Sequence, residues 1–239
     1  DVAREIEKLK AENVEGIIMD LRGNGGGSLP EVVKMVGLFI EDGPVCVVEG
    51  RGEDKPYQWK DKDKSILYTG PLTVMVDEFS ASASEIFAAA IQDYKRGIVI
   101  GSTSTFGKGT VQTVIDVPGT GGRNSDGAIH VTIAKFFRPS GKSNQEKGVL
   151  SDIIIPDIID ATDIGEKEND YPLPYTTIKA SRDFKPERDL KDNIVKLQKM
   201  STERVDKSAE FKKLIEAINK ARKDKNTLVS LKESKDSKP

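Results

Sequence analysis

The sequence predicts a mixed α/β fold followed by a helical tail, on three observations. Two apolar runs, Gly16-Ile-Ile-Met-Asp-Leu21 and Leu72-Thr-Val-Met-Val76, each pass through a small-residue junction into a segment of helical spacing. Strands of that continuously apolar kind belong to sheets covered on both faces. Beyond Pro156 the composition shifts to charged, helix-patterned segments.

Taken in order, residues 2–12 read as an amphipathic helix with Val2, Ile6 and Leu9 on one face. The 16–21 strand runs into Gly23-Asn24-Gly25-Gly26-Gly27, and Pro30 then sits in the first turn of a helix through Ile40. Pro44 to Gly50 is a strand, and the charged stretch Glu53–Ser65 reads as a surface loop with Tyr57 and Trp59 packing beneath it. Leu72–Val76 is a buried strand, and Glu85–Tyr94 an alanine-rich helix. Gly97–Gly101 and Val111–Val117 are strands, Gly119–Gly127 a glycine-rich hairpin loop, and strands at 128–138 and 148–155 close the core. Asp157–Asp170 is acidic and loop-like, and Tyr171–Pro174 is extended. Helices follow at Pro186–Gln198, Ser201–Lys220 and Asn226–Lys232, the second with Phe211, Leu214, Ile215 and Ile218 on one face, and the last seven residues are expected to be disordered.

Composition narrows the function classes. The chain has 239 residues, enough for one large domain or a domain with an appendage. A formal net charge of −2 gives no support to nucleic acid or an anionic membrane surface as partner. No apolar run is long enough to span a membrane. One cysteine, Cys46, excludes an intrachain disulfide, and no cluster of Cys, His and carboxylates has metal spacing, so no metal or cofactor is expected. Two nucleotide motifs fail on inspection. GNGGG is neither GxGxxG nor followed by Lys-Ser/Thr, and Gly101–Thr110 has one residue too many and Gly109 where Ser or Thr is needed.

The chemistry concentrates in Ser80-Ala81-Ser82-Ala83-Ser84-Glu85 and in Phe106-Gly107-Lys108-Gly109-Thr110-Val111-Gln112. The serines lie where a strand turns into a helix, and unpaired N–H groups and the helix dipole there stabilise developing negative charge. One serine followed by Glu85 suffices for a capping box, which leaves the other two unexplained. A serine nucleophile needs a base. His130 lies in the strand-like 128–137 segment, where a lone histidine is ordinarily structural. The alternative is a lysine held neutral by apolar surroundings, and Lys108, between glycines and beside Phe106 and Val111, suits that better than lysines in charged stretches.

These segments resemble the carboxyl-terminal processing (tail-specific) proteases of peptidase family S41. The resemblance rests on DEFSASASEIFAAAIQDY, TFGKGTVQ, GIIMDLRGNGGGSL and FFRPSGKSNQEKGVLSDIIIP, and spans residues 1–157. Residues 158–239 are similar to the helical extension of the larger periplasmic members. The resemblance implies a ClpP/crotonase-like protease core at 1–157 and a helical C-terminal extension at 158–239. It implies Ser82 as nucleophile, Lys108 as general base and Gln112 as the residue orienting the lysine. Gly25 or Gly26 (Gly26 preferred) and Ala83 would supply the oxyanion N–H groups, and Asp93 would stand at an acidic family position, in an ion pair expected to involve Arg96. The connection GSTSTFGKG is one residue longer than the usual pattern, so the register of SASASE selects Ser82, with Ser80 as fallback.

By the same resemblance the expected substrates are proteins or peptides with apolar C-termini, the location is periplasmic with association at the membrane, and an adaptor lipoprotein is a partner. The chain would be a fragment without the upstream signal and PDZ module. Two other readings stay open at this point: a non-catalytic peptide-binding fragment, and a crotonase-like acyl-CoA enzyme on the same architecture.

Overall fold

The computed structural model describes residues 1–52, 55–119 and 125–224. In chain order its elements are α1 (Val2–Ala11), β1 (Ile17–Asp20), α2 (Leu29–Gly37), β2 (Gly43–Gly50), β3 (Tyr57–Asp61), β4 (Leu72–Val76), α3 (Ala83–Asp93) and β5 (Ile98–Gly101). There follow β6 (Thr110–Pro118), β7 (Ser125–Phe137), β8 (Ile153–Ile154), α4 (Lys191–Lys207) and α5 (Ala209–Asp224). The architecture is α/β with helices at the C-terminal end, as the sequence predicts.

Two sheets divide the work. β1, β4, β5 and β8 form a parallel sheet in the order β1-β4-β5-β8, and β3, β2, β7 and β6 form an antiparallel one in the order β3-β2-β7-β6. Alternation sets the faces: Leu72, Val74 and Val76 of β4 and Val99 of β5 are buried, while their neighbours are half-exposed. Phe39, Phe87, Ile40, Ile91 and Val36 fill the space against the buried side, with Phe39 and Phe87 edge to face at 5.8 Å. α3 is buried along almost its whole length, from Ala83 to Ile91. That environment suits its run of alanines, whose small side chains admit close packing.

Several expectations are corrected. The charged stretch read as a loop contains strand β3, antiparallel to β2, with Tyr57 exposed and Trp59 packed on the core. Residues 53 and 54 lie outside the described residues. The strand expected at 148–155 is only Ile153–Ile154, and the acidic 157–170 segment holds two 3₁₀ turns, Ile158–Ala161 and Glu166–Glu168. α4 runs on through Ser201 to Lys207, and the break falls at Ser208. On α5, Phe211, Leu214 and Ile215 are half-buried and Ile218 is buried, the expected face. Most of the loop expected at 119–127, the helix at 226–232 and the last seven residues fall outside the described residues, although Ser125–Gly127 already belong to β7.

Cys46, in β2, is 1% exposed, and burial pushes its thiol up to about 12. An aromatic disulfide reagent at pH about 8 should leave the native thiol untouched, since the thiolate is the reactive form, and should titrate one thiol after denaturation. Rapid stoichiometric reaction of the native protein would contradict the burial of β2.

Candidate active site

β4 ends at Val76, and the chain turns through 77–82 into α3. Three serines occupy that turn in different ways. Ser80 is fully buried: its hydroxyl donates to the Leu21 carbonyl at 2.8 Å and accepts the Asp77 N–H at 3.0 Å. Ser84 is buried within the first turn of α3. Ser82 alone of the three is half-exposed, and it stands at the helix N-cap with φ 56° and ψ −115°. A positive φ at a residue other than glycine is a strained conformation that the surroundings must impose.

The surroundings that impose it are visible. Ala81 N–H donates to the Asn24 carbonyl at 3.0 Å, which fastens the turn to the glycine-rich loop after β1. Gly26, at φ 105°, approaches so closely that a Cβ there would lie 2.7 Å from the Ala81 oxygen and 2.8 Å from the Ala83 nitrogen. Gly25 has nothing comparable near it, so the loop meets the turn at Gly26. The Gly26 N–H is engaged, donating to its own loop's Asn24 Oδ1 at 3.0 Å. Ala83, the first helical residue, has a backbone N–H with no carbonyl one turn earlier to accept it. Beside Gly26 and Ala83 opens a groove of about 590 Å³, lined on its apolar side by Met19, Leu21, Val32, Met35 and Leu38.

The second half of the site is the connection between β5 and β6. It is drawn onto the serine turn by the Phe106 N–H, which donates to the Ser80 carbonyl at 3.0 Å. Glu85 completes the join. One of its oxygens, Oε1, accepts the Thr105 hydroxyl at 2.6 Å and the Gly107 N–H at 2.8 Å. The other, Oε2, accepts the Ser82 N–H and the Lys108 N–H, both at 2.9 Å. The backbone nitrogens of Ser82 and Lys108 are therefore no farther apart than twice that distance, well within a lysine side chain's reach. Lys108 is half-buried. Glu85 is fully buried, and desolvation pushes its carboxyl up to about 7 against the opposing pull of its four donors.

Other predicted residues lie differently. Gln112 is exposed on β6, one residue after a register shift against β7. Asp93, at the end of α3, pairs with Arg138 rather than Arg96, and its second oxygen accepts the Ser140 N–H at 3.2 Å. Arg96 points into the core instead, donating to the carbonyls of Phe39 and Tyr68 at 2.9 and 2.7 Å. His130 is exposed on β7 opposite Val114. Val114 is six residues along from Lys108, about 20 Å at strand rise. Sequence reasoning singled out Glu85 only as a helix cap and passed over Thr105 and Gln145. The signal for Glu85 was a carboxylate directly before the apolar run Ile86–Ile91, where burial requires donors for it.

Comparison with known proteins places these residues in context. A family profile described as peptidase family S41 matches residues 1–155, and one described as the C-terminal domain of tail specific protease (DUF3340) matches residues 159–238. The tail-specific protease of Haemophilus influenzae is 46% identical over 184 residues, 74% of this chain and 26% of its own length. The carboxy-terminal processing protease CtpB of Bacillus subtilis is 36% identical over 171 residues, 70% of this chain and 34% of its own. The chain thus spans a quarter to a third of the length of these curated relatives. Among solved structures, the photosystem II D1 C-terminal processing protease superposes with a TM-score of 0.56 at 31% identity, covering 64% of this chain and 38% of that one.

The buried carboxyl generates a pH signature. Glu85 holds its proton more tightly folded than unfolded, so between its ordinary value of 4.5 and about 7 the folded state binds more protons. Stability should therefore fall as pH rises through that window, by on the order of 3 kcal/mol. Glu85→Gln, uncharged throughout, should flatten that part of the profile in urea-midpoint measurements. An identical slope in the variant would remove Glu85 as its source.

Proposed function

The chain belongs to peptidase family S41, and from that premise we propose that it carries the catalytic core of a serine endopeptidase working through a Ser82–Lys108 dyad. The observation that carries this reading is the shared acceptor Glu85 Oε2, which draws the backbones of both residues together at 2.9 Å each. The exposure of Ser82, against the full burial of Ser80, favours Ser82 as nucleophile.

In this mechanism the neutral Lys108 amine takes the proton from Ser82 Oγ as Oγ attacks the scissile carbonyl carbon. The tetrahedral oxyanion is held first by the Ala83 N–H at the positive end of α3. The glycine loop supplies a second donor, and Gly26 is the closer candidate once Asn24 releases its N–H. The Lys108 ammonium then protonates the leaving amine, the C–N bond breaks, and an ester to Ser82 remains. Lys108 next takes a proton from water as that water attacks the ester, and returns it to Ser82 Oγ as the new carboxylic acid departs. Gln112 orients the lysine amine through its amide oxygen. Asp93 acts structurally, through Arg138, rather than on the substrate.

The apolar groove beside Gly26 and Ala83 suits an apolar substrate side chain, which supports proteins with apolar C-termini as substrates. Among the described residues no helix is long and apolar enough to cross a membrane. We place the protein in the periplasm, with an adaptor lipoprotein as partner, on family grounds. The core and extension divide near residue 157.

The dyad demands an ordering of variants, measured as cleavage of an unfolded protein with circular dichroism as the check on folding. Ser82→Ala should lose roughly a thousandfold or more. Lys108→Arg should be nearly as inactive as Lys108→Ala, because guanidinium cannot accept the serine proton. Gln112→Ala should lose about tenfold, water substituting in part, and His130→Ala should stay near the parent rate. An active Lys108→Arg, or a folded and inactive His130→Ala, would overturn the dyad.

A further inference from the structure

The connection carrying Lys108 is gripped from two sides. Glu85 holds its inner side. On the outer side stands Gln145, fully buried and polar, whose Oε1 accepts the Gly109 N–H at 2.9 Å. Its Nε2 donates to Glu166 Oε1 at 3.2 Å. Glu166 belongs to the C-terminal extension, and its own N–H donates to the Phe106 carbonyl at 2.8 Å. Gly165, at φ 140°, comes so close that a Cβ there would stand 3.0 Å from that same carbonyl oxygen. The extension returns to the neighbouring loop at Tyr175, whose N–H donates to the Glu146 carboxylate at 2.8 Å and whose ring lies 3.8 Å from Lys147 Nζ. Glu146 in turn donates its N–H to the Gly107 carbonyl at 2.9 Å.

We propose that the C-terminal extension is a positioning element for the catalytic lysine, with Glu166 as its positioning residue. This rests on the reading of Lys108 as general base. Glu166 is bonded to positions on either side of Lys108: Phe106 directly, and Gly109 through Gln145. A buried glutamine amide has two donor hydrogens and an acceptor to satisfy, so the Glu166 carboxylate also selects the amide orientation that presents Oε1 to Gly109. Without Glu166 the Nε2 hydrogens lose their acceptor, the amide is held by the Gly109 N–H alone, and the Gly109 end of the loop is held less firmly. The lysine amine then spends less time in the position from which it can take the Ser82 proton.

The test is a set of Glu166 variants in the full chain, assayed for peptide cleavage and for labelling of Ser82 by a fluorophosphonate. Glu166→Gln keeps an acceptor for the Gln145 amide and should stay within about twofold of the parent. Glu166→Ala should lose about three- to tenfold in kcat with KM unchanged, the equivalent of one hydrogen bond in the transition state. Glu166→Pro removes the N–H as well and sets a ring carbon against the Phe106 carbonyl oxygen, so it should lose more in both cleavage and labelling. A purely structural role would lower the thermal midpoint and leave kcat and KM of the folded enzyme at parent values, and that result would overturn the proposal. Ser82→Ala and Lys108→Ala run alongside. If they remain active the dyad itself fails. If they are inactive while Glu166→Ala and Glu166→Pro match the parent, only the positioning role fails.

Discussion

The buried carboxylate of Glu85 is the interaction on which the site depends. Taking an ionised carboxylate out of water costs several kcal/mol, and an apolar residue of similar size would avoid that cost. What the carboxylate supplies instead is four acceptor positions in a fixed plane. Each is used: Thr105 and Gly107 on one oxygen, Ser82 and Lys108 on the other. Thr105 extends the join, since its hydroxyl also accepts the Val149 N–H at 2.7 Å. Two stretches, 82–85 and 105–108, thus meet at one side chain, and a third joins them at Val149 through Thr105. No aliphatic residue can register backbone N–H groups in that way, because dispersion contacts have no direction. Glu85 makes geometry at the expense of stability.

The same trade appears at Ser82. Its positive φ costs of order 1–3 kcal/mol and persists only because neighbouring contacts leave no alternative. Ser80 locks the turn to the end of β1, Ala81 locks it to Asn24, and Gly26 closes over it where any side chain would collide. The consequence is that Ser82 stays half-exposed while its two neighbouring serines are buried. Strain here is concentrated at the residue proposed as nucleophile.

How much of this was legible in the sequence follows from the range over which each feature is determined. The strand-to-helix junctions at 21–29 and 76–83 were readable because apolar runs, glycines and caps act within a few residues. Strand β3 was not: it lies at the sheet edge, of its residues Trp59 packs on the core, and the adjacent charges Lys60 and Asp61 read as loop. Ser201 looked like a helix start because serine favours caps, yet it is buried inside α4, where packing overrides propensity. The partner of Asp93 was misread for the same reason. Arg96 is near in sequence, but the folded chain sends it between Phe39 and Tyr68 and brings Arg138 across from the end of β7. Which residues could do chemistry was local information. Which groups hold them was not, and Glu85, Thr105 and Gln145 act over separations of twenty residues or more.

The extension's grip on the core has a physical character of its own. Much of it runs through backbone groups: Glu166 to Phe106, Ile178 to the Gly141 carbonyl at 2.9 Å, Ser181 to the Pro139 carbonyl at 3.0 Å, and Glu187 to the Tyr94 carbonyl at 2.8 Å. Backbone bonds fix the register of a strap while leaving most side chains free to vary. Side chains add to it, among them Phe184 edge to face on Tyr94 at 5.1 Å and Asp183 paired with Lys60. A strap held this way cannot slide by one residue without breaking several bonds together. The register that seats Glu166 against Phe106 is therefore held at points along residues 166–187, and the lysine loop inherits a position set well beyond its own segment.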